Sequence, residues 1–132
     1  MTELAQKSHV KEIERICVHL MEDWMAPKFA NMDRYFSNHV VMIETDTHRR
    51  ITGIDDVLEQ YELFVEDTEI VDFKITELLV DLVEDTAVAY VTYDIKYEMD
   101  ETRFDETNTE ILVFHEHDKE WKIVWRTQLV GT

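Results

Sequence analysis

The second half of the chain reads IVDFKITELLVDLV (residues 70–83), AVAYVTYDIKY (87–97), TNTEILVFH (107–115) and WKIVWRTQLV (121–130). These segments are rich in β-branched and aromatic residues and have the length of strands, so they predict four strands. Short polar connections at 84–85 and 117–120 indicate hairpins, which join neighbouring strands into an antiparallel meander. Between the second and third strands, residues 99–105 are predicted to form a longer acidic loop.

The first of these strands changes the parity of its apolar residues. Phe73 and Ile75 share one parity, whereas Leu78 and Val80 share the other. Because alternate residues of a strand point to one face, this change predicts a β-bulge near residues 76–77. A bulge bends a sheet, so we expect a strongly bent, mainly antiparallel sheet.

Three helices are predicted ahead of this sheet. Apolar residues recur at spacings of three and four from residue 2 to residue 25, with Thr2 as the N-cap and Pro27 as the stop signal. A short second helix follows and ends at the polar residues 37–39. The third helix has an apolar stripe from 54 to 65, with acidic residues in its first turn.

A short hairpin is predicted between the second and third helices. Residues 40–45 form a β-branched run, and residues 49–52 are placed to pair back with it. The whole pattern predicts an α+β fold, in which three N-terminal helices cover one bent sheet. With 132 residues, the chain has the size of a single domain spanning 1–132.

The composition excludes several functional classes. The net charge of −17 opposes binding to nucleic acids and to anionic membrane surfaces. Cys17 is the only cysteine, which excludes an internal disulfide and fits a reducing compartment. The N-terminal residues lack the pattern of a signal peptide, and no long apolar stretch follows, so we predict a cytoplasmic protein.

Nucleotide and metal sites are not expected from the motifs. The chain has only two glycines, which excludes glycine-rich phosphate loops. His115 and His117 are the nearest approach to a metal site, but they flank a predicted hairpin tip that is solvated. We therefore predict neither a metal nor a cofactor.

The order of elements resembles the nuclear transport factor 2-like superfamily, particularly its SnoaL-like small bacterial members. The resemblance is carried by YFSNHVVM (35–42), by Gly53, by DTAV (85–88) and by WKIV (121–124). It implies a cystatin-like cone with a central pocket between the helices and the bent sheet. The superfamily includes isomerases, cyclases, hydrolases, binding domains and oligomerisation domains, so its fold does not determine one function.

Ketosteroid isomerase is the member of that superfamily that implies roles for individual residues. The resemblance places Glu44 where the isomerase has its proton-abstracting acid, and Glu110 near its proton-donating acid. It places Tyr61 near a supporting aromatic residue. Leu20 occupies the position of the oxyanion tyrosine, and this difference argues against steroid isomerisation.

The side chains that face the pocket depend on the loop of the last hairpin. An odd loop places Glu110 on one face with Arg126 and Gln128, whereas an even loop places the tryptophans beside Glu110. We prefer the odd loop, because the resemblance points that parity toward the pocket. The pocket is then predicted to be lined by Leu20, Trp24, Glu44, Tyr61, Tyr93, Glu110, Leu112, Arg126 and Gln128.

Two alternatives stay open for the pair Glu110 and Arg126. It is either an internal ion pair that shapes the cavity or an anchor for the oxygen atoms of a ligand. The opposite face of the sheet is predicted to form a homodimer interface centred on Ile111, Val113, Ile123 and Trp125, because a monomer would expose that apolar face.

Two functions follow from these features. The first is a small-molecule-binding module of unassigned specificity, dimeric or with an assembly role, that holds a small apolar ligand. The alternative is a cofactor-independent isomerase, cyclase or hydrolase acting on a small apolar oxygen-containing substrate. In that case Glu44 is the general base, and Glu110 or Arg126 polarises the substrate.

Overall fold

The computed structural model describes residues 2–26 and 29–130. The elements are two α-helices, one 3-10 helix and six strands. In chain order they are α1 (Glu3–Met25), the 3-10 helix (Phe29–Tyr35), β1 (Phe36–Ile43), β2 (Arg50–Thr52), α2 (Ile54–Glu66), β3 (Glu69–Val83), β4 (Thr86–Met99), β5 (Thr102–His117) and β6 (Glu120–Val130).

Helix α1 begins and ends where the sequence predicts. The Thr2 hydroxyl accepts a hydrogen bond from the Ala5 amide at 3.1 Å, which satisfies one of the free N–H groups of the first turn. At the other end, the Ala26 amide donates to the Glu22 carbonyl. Pro27, the predicted stop signal, lies outside the described residues.

The predicted second helix is shorter than expected and is followed directly by a strand. Residues 37–39, predicted as a polar break, belong to β1, because β1 pairs in parallel with β6 from Phe36 onward. The predicted pairing of β1 with β2 is confirmed, with Met42 opposite Ile51. Gly53 then caps α2 with a φ of 93°, a left-handed value that glycine adopts without strain.

The sheet has the strand order β2-β1-β6-β5-β4-β3, in which only the β1–β6 pair is parallel. The predicted meander of four antiparallel strands and the bulge are both confirmed, since the register shifts between Ile75 and Glu77. The predicted loop at 99–105 is wrong. Asp100 and Glu101 form a two-residue turn with φ values of 52° and 66°, so β4 and β5 extend through this region.

The last hairpin has the even loop of one alternative, but it places Arg126 on the inner face with Glu110, as the odd loop would. Its connection is the even, two-residue turn at 118–119, yet the register shifts again next to Val113. This bulge leaves Arg126 opposite Leu112, on the inner face of the sheet, and also turns Ile123 to that face, opposite Phe114. Ile123 is fully buried, so its predicted place in an outer dimer interface is wrong.

The helices cover the inner face of the sheet, and that face has two ends. At the packed end, the inner residues are small or apolar: Ala87, Ala89, Leu112, Phe114 and Ile123. At the open end, aromatic and polar side chains replace them: Tyr93, Tyr97, Asn108, Glu110, Arg126 and Gln128. The predicted α+β class and the bent, mainly antiparallel sheet are confirmed. No helix within 2–26 and 29–130 has the length and apolar character needed to cross a membrane.

Candidate functional site

A cavity of about 520 Å³ lies between the end of α1, helix α2 and the open end of the sheet. Six of the nine predicted pocket residues line it: Trp24, Glu44, Tyr61, Tyr93, Arg126 and Gln128. The predicted lining is corrected at Leu20 and Leu112, which are fully buried in the packed core instead. Glu110 is buried directly behind Arg126.

Glu110 and Arg126 form a buried ion pair at the base of the cavity. Arg126 Nη2 donates to Glu110 Oε1 at 2.5 Å, and only 1% of the Glu110 side chain and 7% of the Arg126 side chain are exposed. Burial raises the pKa of Glu110, and the guanidinium opposes that rise. Burial lowers the pKa of Arg126, but the charge of Glu110, the hydrogen bond to it and the neighbouring Tyr61 and Tyr93 together raise the pKa by more, so Arg126 stays charged.

Two aromatic rings hold the guanidinium from the helix side. The Arg126 guanidinium carbon lies 5.1 Å from the centre of the Tyr61 ring and 6.0 Å from that of Trp24. The two rings pack edge to face at 4.8 Å, and Trp24 Nε1 donates to the Tyr61 carbonyl at 3.1 Å. Burial raises the pKa of the Tyr61 hydroxyl, so this wall stays uncharged.

A chain of hydrogen bonds links the mouth of the cavity to the ion pair. The Thr45 hydroxyl donates to Gln128 Oε1 at 2.8 Å, and Gln128 Nε2 donates to the Tyr93 hydroxyl at 2.8 Å. Tyr93 in turn donates to Glu110 Oε1 at 3.4 Å. The chain therefore ends on the same carboxylate oxygen that binds Arg126.

Three buried polar atoms at this site have no hydrogen-bond partner among the described residues. They are Asn108 Oδ1, Glu110 Oε2 and Arg126 Nε. A buried polar group without a partner costs about 1–3 kcal/mol, so such groups mark places where water, an ion or a ligand supplies the missing partner. Two of the three are acceptors and one is a donor.

Glu44 lies at the mouth, where its own bonds keep it ionised. Its carboxylate accepts from the Thr47 hydroxyl at 2.8 Å and from Arg49 at 3.1 Å. The bond from Thr47 and the charge of Arg49 lower the pKa of Glu44. A carboxylate with a lowered pKa is a weak base, so this geometry does not favour the predicted role of Glu44 in proton abstraction.

An acidic corner of the cavity was missed by the sequence prediction. Tyr97 donates to Glu106 Oε2 at 2.8 Å, and Asn108 Nδ2 donates to Glu106 Oε1 at 3.2 Å. Asp46 lines the same cavity, and burial, the bond to Glu106 and the charge of Asp46 raise the pKa of Tyr97. Strand alternation from Tyr93 and Glu110 points to Tyr97 and Asn108, which lie inside the predicted strands, and Glu106 continues the same face just before the third predicted strand.

Comparison with a family model identifies the domain type. Residues 13–127 match the model of the SnoaL-like domain, which is most of the chain. A comparison with curated protein sequences finds no match. The matched residues include both helices' packed faces, the ion pair and most of the cavity wall.

Solved structures support the same fold at low sequence identity. A Streptomyces avermitilis protein, described provisionally as a dehydratase of the NTF2-like family, is 17% identical with a TM-score of 0.82, covering 96% of this chain and 99% of that one. A Caulobacter vibrioides protein with a cystatin-like fold is 12% identical, with a TM-score of 0.77 and coverages of 91% and 87%. The S. rosetta CaMKII hub is 12% identical, with a TM-score of 0.76 and coverages of 92% and 95%. At these identities the likeness establishes the fold alone.

Proposed function

The chain belongs to the SnoaL-like domain family, and on that premise we propose that it binds a small molecule in its cavity without transforming it. The ion pair at the base is fixed by its aromatic walls and hydrogen-bond chain, so the site is organised before a ligand arrives. Organised polar groups in a cavity with aromatic residues in its wall are typical of ligand sites. The ligand's specificity stays unassigned.

The unpartnered atoms of Asn108, Glu110 and Arg126 carry this proposal. If the cavity only shaped the core, apolar residues would fill it at lower cost in free energy. The packed end of the same sheet is filled in that way. A ligand with both donor and acceptor groups would satisfy the open end, because the site offers acceptors and a donor together.

A metabolite extract tests the proposal directly. The protein is mixed with the extract and separated by gel filtration, and small molecules released from the protein fraction are identified by mass spectrometry. We expect a ligand that the wild type retains and that an Ile95→Phe variant, with extra volume in the cavity wall, does not. Leu79→Phe is the matched control, since Leu79 is 54% exposed on the outer side of β3. A wild type that retains nothing would contradict the proposal.

A cofactor-independent isomerase, cyclase or hydrolase is the second candidate function. It is favoured by one observation: the Glu110 carboxyl is buried behind the cavity, and burial raises its pKa, which is the direction in which enzymes tune a carboxyl group for acid–base catalysis. The provisional description of the S. avermitilis protein as a dehydratase agrees with it. The test compares extracts incubated with wild type and with Glu110→Gln. A compound consumed only by the wild type would establish an enzyme, and unchanged extracts would favour binding alone.

We also propose that the chain forms a homodimer through the outer face of its sheet. Val113 and Trp125 are neighbours on that face, and Tyr90 and Leu79 lie 39% and 54% exposed beside Ile111. An apolar sheet face of this size is a common oligomer contact. Val113→Lys should convert a dimer to a monomer in light scattering. A wild-type monomer at micromolar concentration would contradict the interface.

Location and nucleic-acid binding stay predictions from the sequence. The net charge of −17 opposes contact with phosphate backbones, so we expect no binding to DNA or RNA at physiological salt. The single buried cysteine fits a cytoplasmic protein.

A further inference from the structure

The acidic corner holds an acceptor that the protein itself leaves unused. Glu106 is fixed by two donors, the Tyr97 hydroxyl on one oxygen and the Asn108 amide nitrogen on the other. Because Nδ2 of Asn108 is used in this way, its Oδ1 is turned away from Glu106. Asn108 is 4% exposed and lines the cavity, and its Oδ1 has no partner among the described residues.

The charges around the cavity favour a cation. Four carboxylates line it, from Glu44, Asp46, Asp67 and Glu106, against the guanidinium of Arg126, and of the four Glu44 is paired with Arg49. Arg126 is already neutralised by Glu110. A concave site with charges of one sign concentrates ligands of the opposite sign and repels those of the same sign. Anionic ligands are therefore disfavoured despite the arginine at the base.

Aromatic rings complete the corner. Tyr97 stacks on Phe104 at 5.1 Å and packs edge to face against Phe64 at 5.3 Å. These contacts hold the Tyr97 ring in place beside Glu106. Aromatic rings next to carboxylates form favourable surroundings for an alkylammonium group.

Resting on the proposed function, we propose that the cavity selects ligands carrying a protonated amine, which binds at the corner of Asp46, Tyr97, Glu106 and Asn108. The ammonium group donates to Asn108 Oδ1 and to Glu106, and the apolar body of the ligand lies along Phe64. A hydroxyl group would satisfy Asn108 but would leave the carboxylates without a counter-charge. A carboxylate group would offer no donor and would be repelled.

Three probes of matched shape test the selection. Phenethylamine, phenethyl alcohol and phenylacetate differ in the charge and donors of one group, and their affinities are measured by calorimetry or by NMR titration. We expect the amine to bind at least about tenfold more tightly than the alcohol, and the carboxylate to bind most weakly. Raising the ionic strength from about 0.02 M to about 0.5 M should weaken the amine alone.

Glu106→Gln removes the carboxylate that the ammonium group contacts and keeps the shape of the side chain, while Asp46 stays in the corner. We expect this variant to bind the amine and the alcohol with similar affinity. Glu98→Gln is the matched control, because Glu98 is exposed near the same end of β4 and makes the same change in net charge; it should keep the preference. A similar loss of the preference for the amine in both variants would assign the effect to net charge and would overturn the proposed role of this corner of the cavity.

Two outcomes separate this inference from the proposed function. Equal affinity for the three probes, tightest binding of phenylacetate or no binding of phenethylamine would overturn the amine selection. A ligand without an amine, retained from the extract by the wild type and lost in Ile95→Phe, would also overturn it while leaving the proposed function in place. If neither the extract nor any probe gives binding, both fail.

Discussion

Strand β5 has two kinds of inner face, and their difference separates stability from function. At the packed end, Leu112 and Phe114 are fully buried opposite Ala89 and Ala87 on β4. At the open end, the same alternation places Asn108 and Glu110 opposite Tyr93 and Val91. Both ends are buried, so exposure to water does not explain the change from apolar to polar residues.

The two ends differ in whether their buried side chains need hydrogen-bond partners and have them. The packed end consists of apolar side chains, which gain free energy from burial without needing partners. The open end keeps three polar atoms without partners among the described residues. Sequences depart from efficient packing mainly where a site requires it. The comparison therefore supports our proposal that the open end is kept for ligand binding, whereas the packed end contributes to stability through apolar burial.

The largest expected effect is at the packed end. Phe114→Ala removes a fully buried ring and leaves a cavity, so we expect it to lower the free energy of unfolding by about 3–5 kcal/mol. Urea unfolding followed by tryptophan fluorescence measures the change. A loss under about 1 kcal/mol would mean that this end is loosely packed and would remove the contrast between the two ends.

Arg126→Leu tests the open end with a smaller loss. Glu110 would stay buried without its partner, so we expect a loss of about 3 kcal/mol, and Glu110→Gln combined with Arg126→Leu should recover most of it. Without the guanidinium the raised pKa of Glu110 rises further. A carboxyl group whose pKa is higher in the folded state than in the unfolded state contributes to folding stability at pH values below its unfolded pKa. This contribution is lost as the pH rises. The deficit of the single variant should therefore grow between about pH 5 and about pH 8.

The pH dependence of folding stability tests whether the Cys17 thiol is buried in the core. Burial raises the pKa of the Cys17 thiol to about 12 from an ordinary value of 9.0. Above pH 9.0 the unfolded thiol ionises and the folded one does not, so stability falls with pH at up to about 1.4 kcal/mol per unit. Cys17→Ala should reduce this slope between pH 9 and pH 10 in urea unfolding. An unchanged slope would contradict the burial of the thiol.

The smallest expected effect is at the mouth. The bonds from Thr47 and Arg49 lower the folded pKa of Glu44, so its stabilising contribution is present above the unfolded pKa and is lost as pH falls through the folded value. Glu44→Gln should lower the melting temperature slightly at neutral pH, and this effect should shrink as pH falls below the ordinary value of 4.5. A variant with a large loss of ligand turnover and no loss of stability would instead support the enzymatic alternative.

Periodic patterns in the sequence predict much of this fold. The apolar stripes of α1 and α2 and the parity change in β3 each have one physical solution, because a single face must be buried. The prediction that Glu110 pairs with Arg126 assumed an odd loop in the last hairpin. The loop is even, and the bulge next to Val113 brings the two residues to one face instead. Six predicted lining residues meet at the cavity for the same reason.

Two local irregularities of the sheet explain the parts of the fold and of the site that the sequence did not predict. The bulge in the last hairpin leaves no trace in the sequence, because apolar residues occupy both faces there; Ile123 was therefore assigned to the wrong face. The turn at Asp100 and Glu101 adopts positive φ values that are usually signalled by glycine or asparagine. Tyr97 is the last residue of its predicted strand and Glu106 precedes the next one, so the predicted pocket stops short of both residues.

The most direct test of the account replaces Asn108, whose Oδ1 has no partner among the described residues, by an apolar residue of similar size. Asn108→Leu removes a buried acceptor without a partner, whose cost is about 1–3 kcal/mol, and it also removes one bond to Glu106. Urea unfolding of the ligand-free variant is measured together with retention of ligand from the metabolite extract. We predict a variant that is at least as stable as the wild type and retains no ligand. A less stable variant that still retains the ligand would contradict the assignment of the open end to binding.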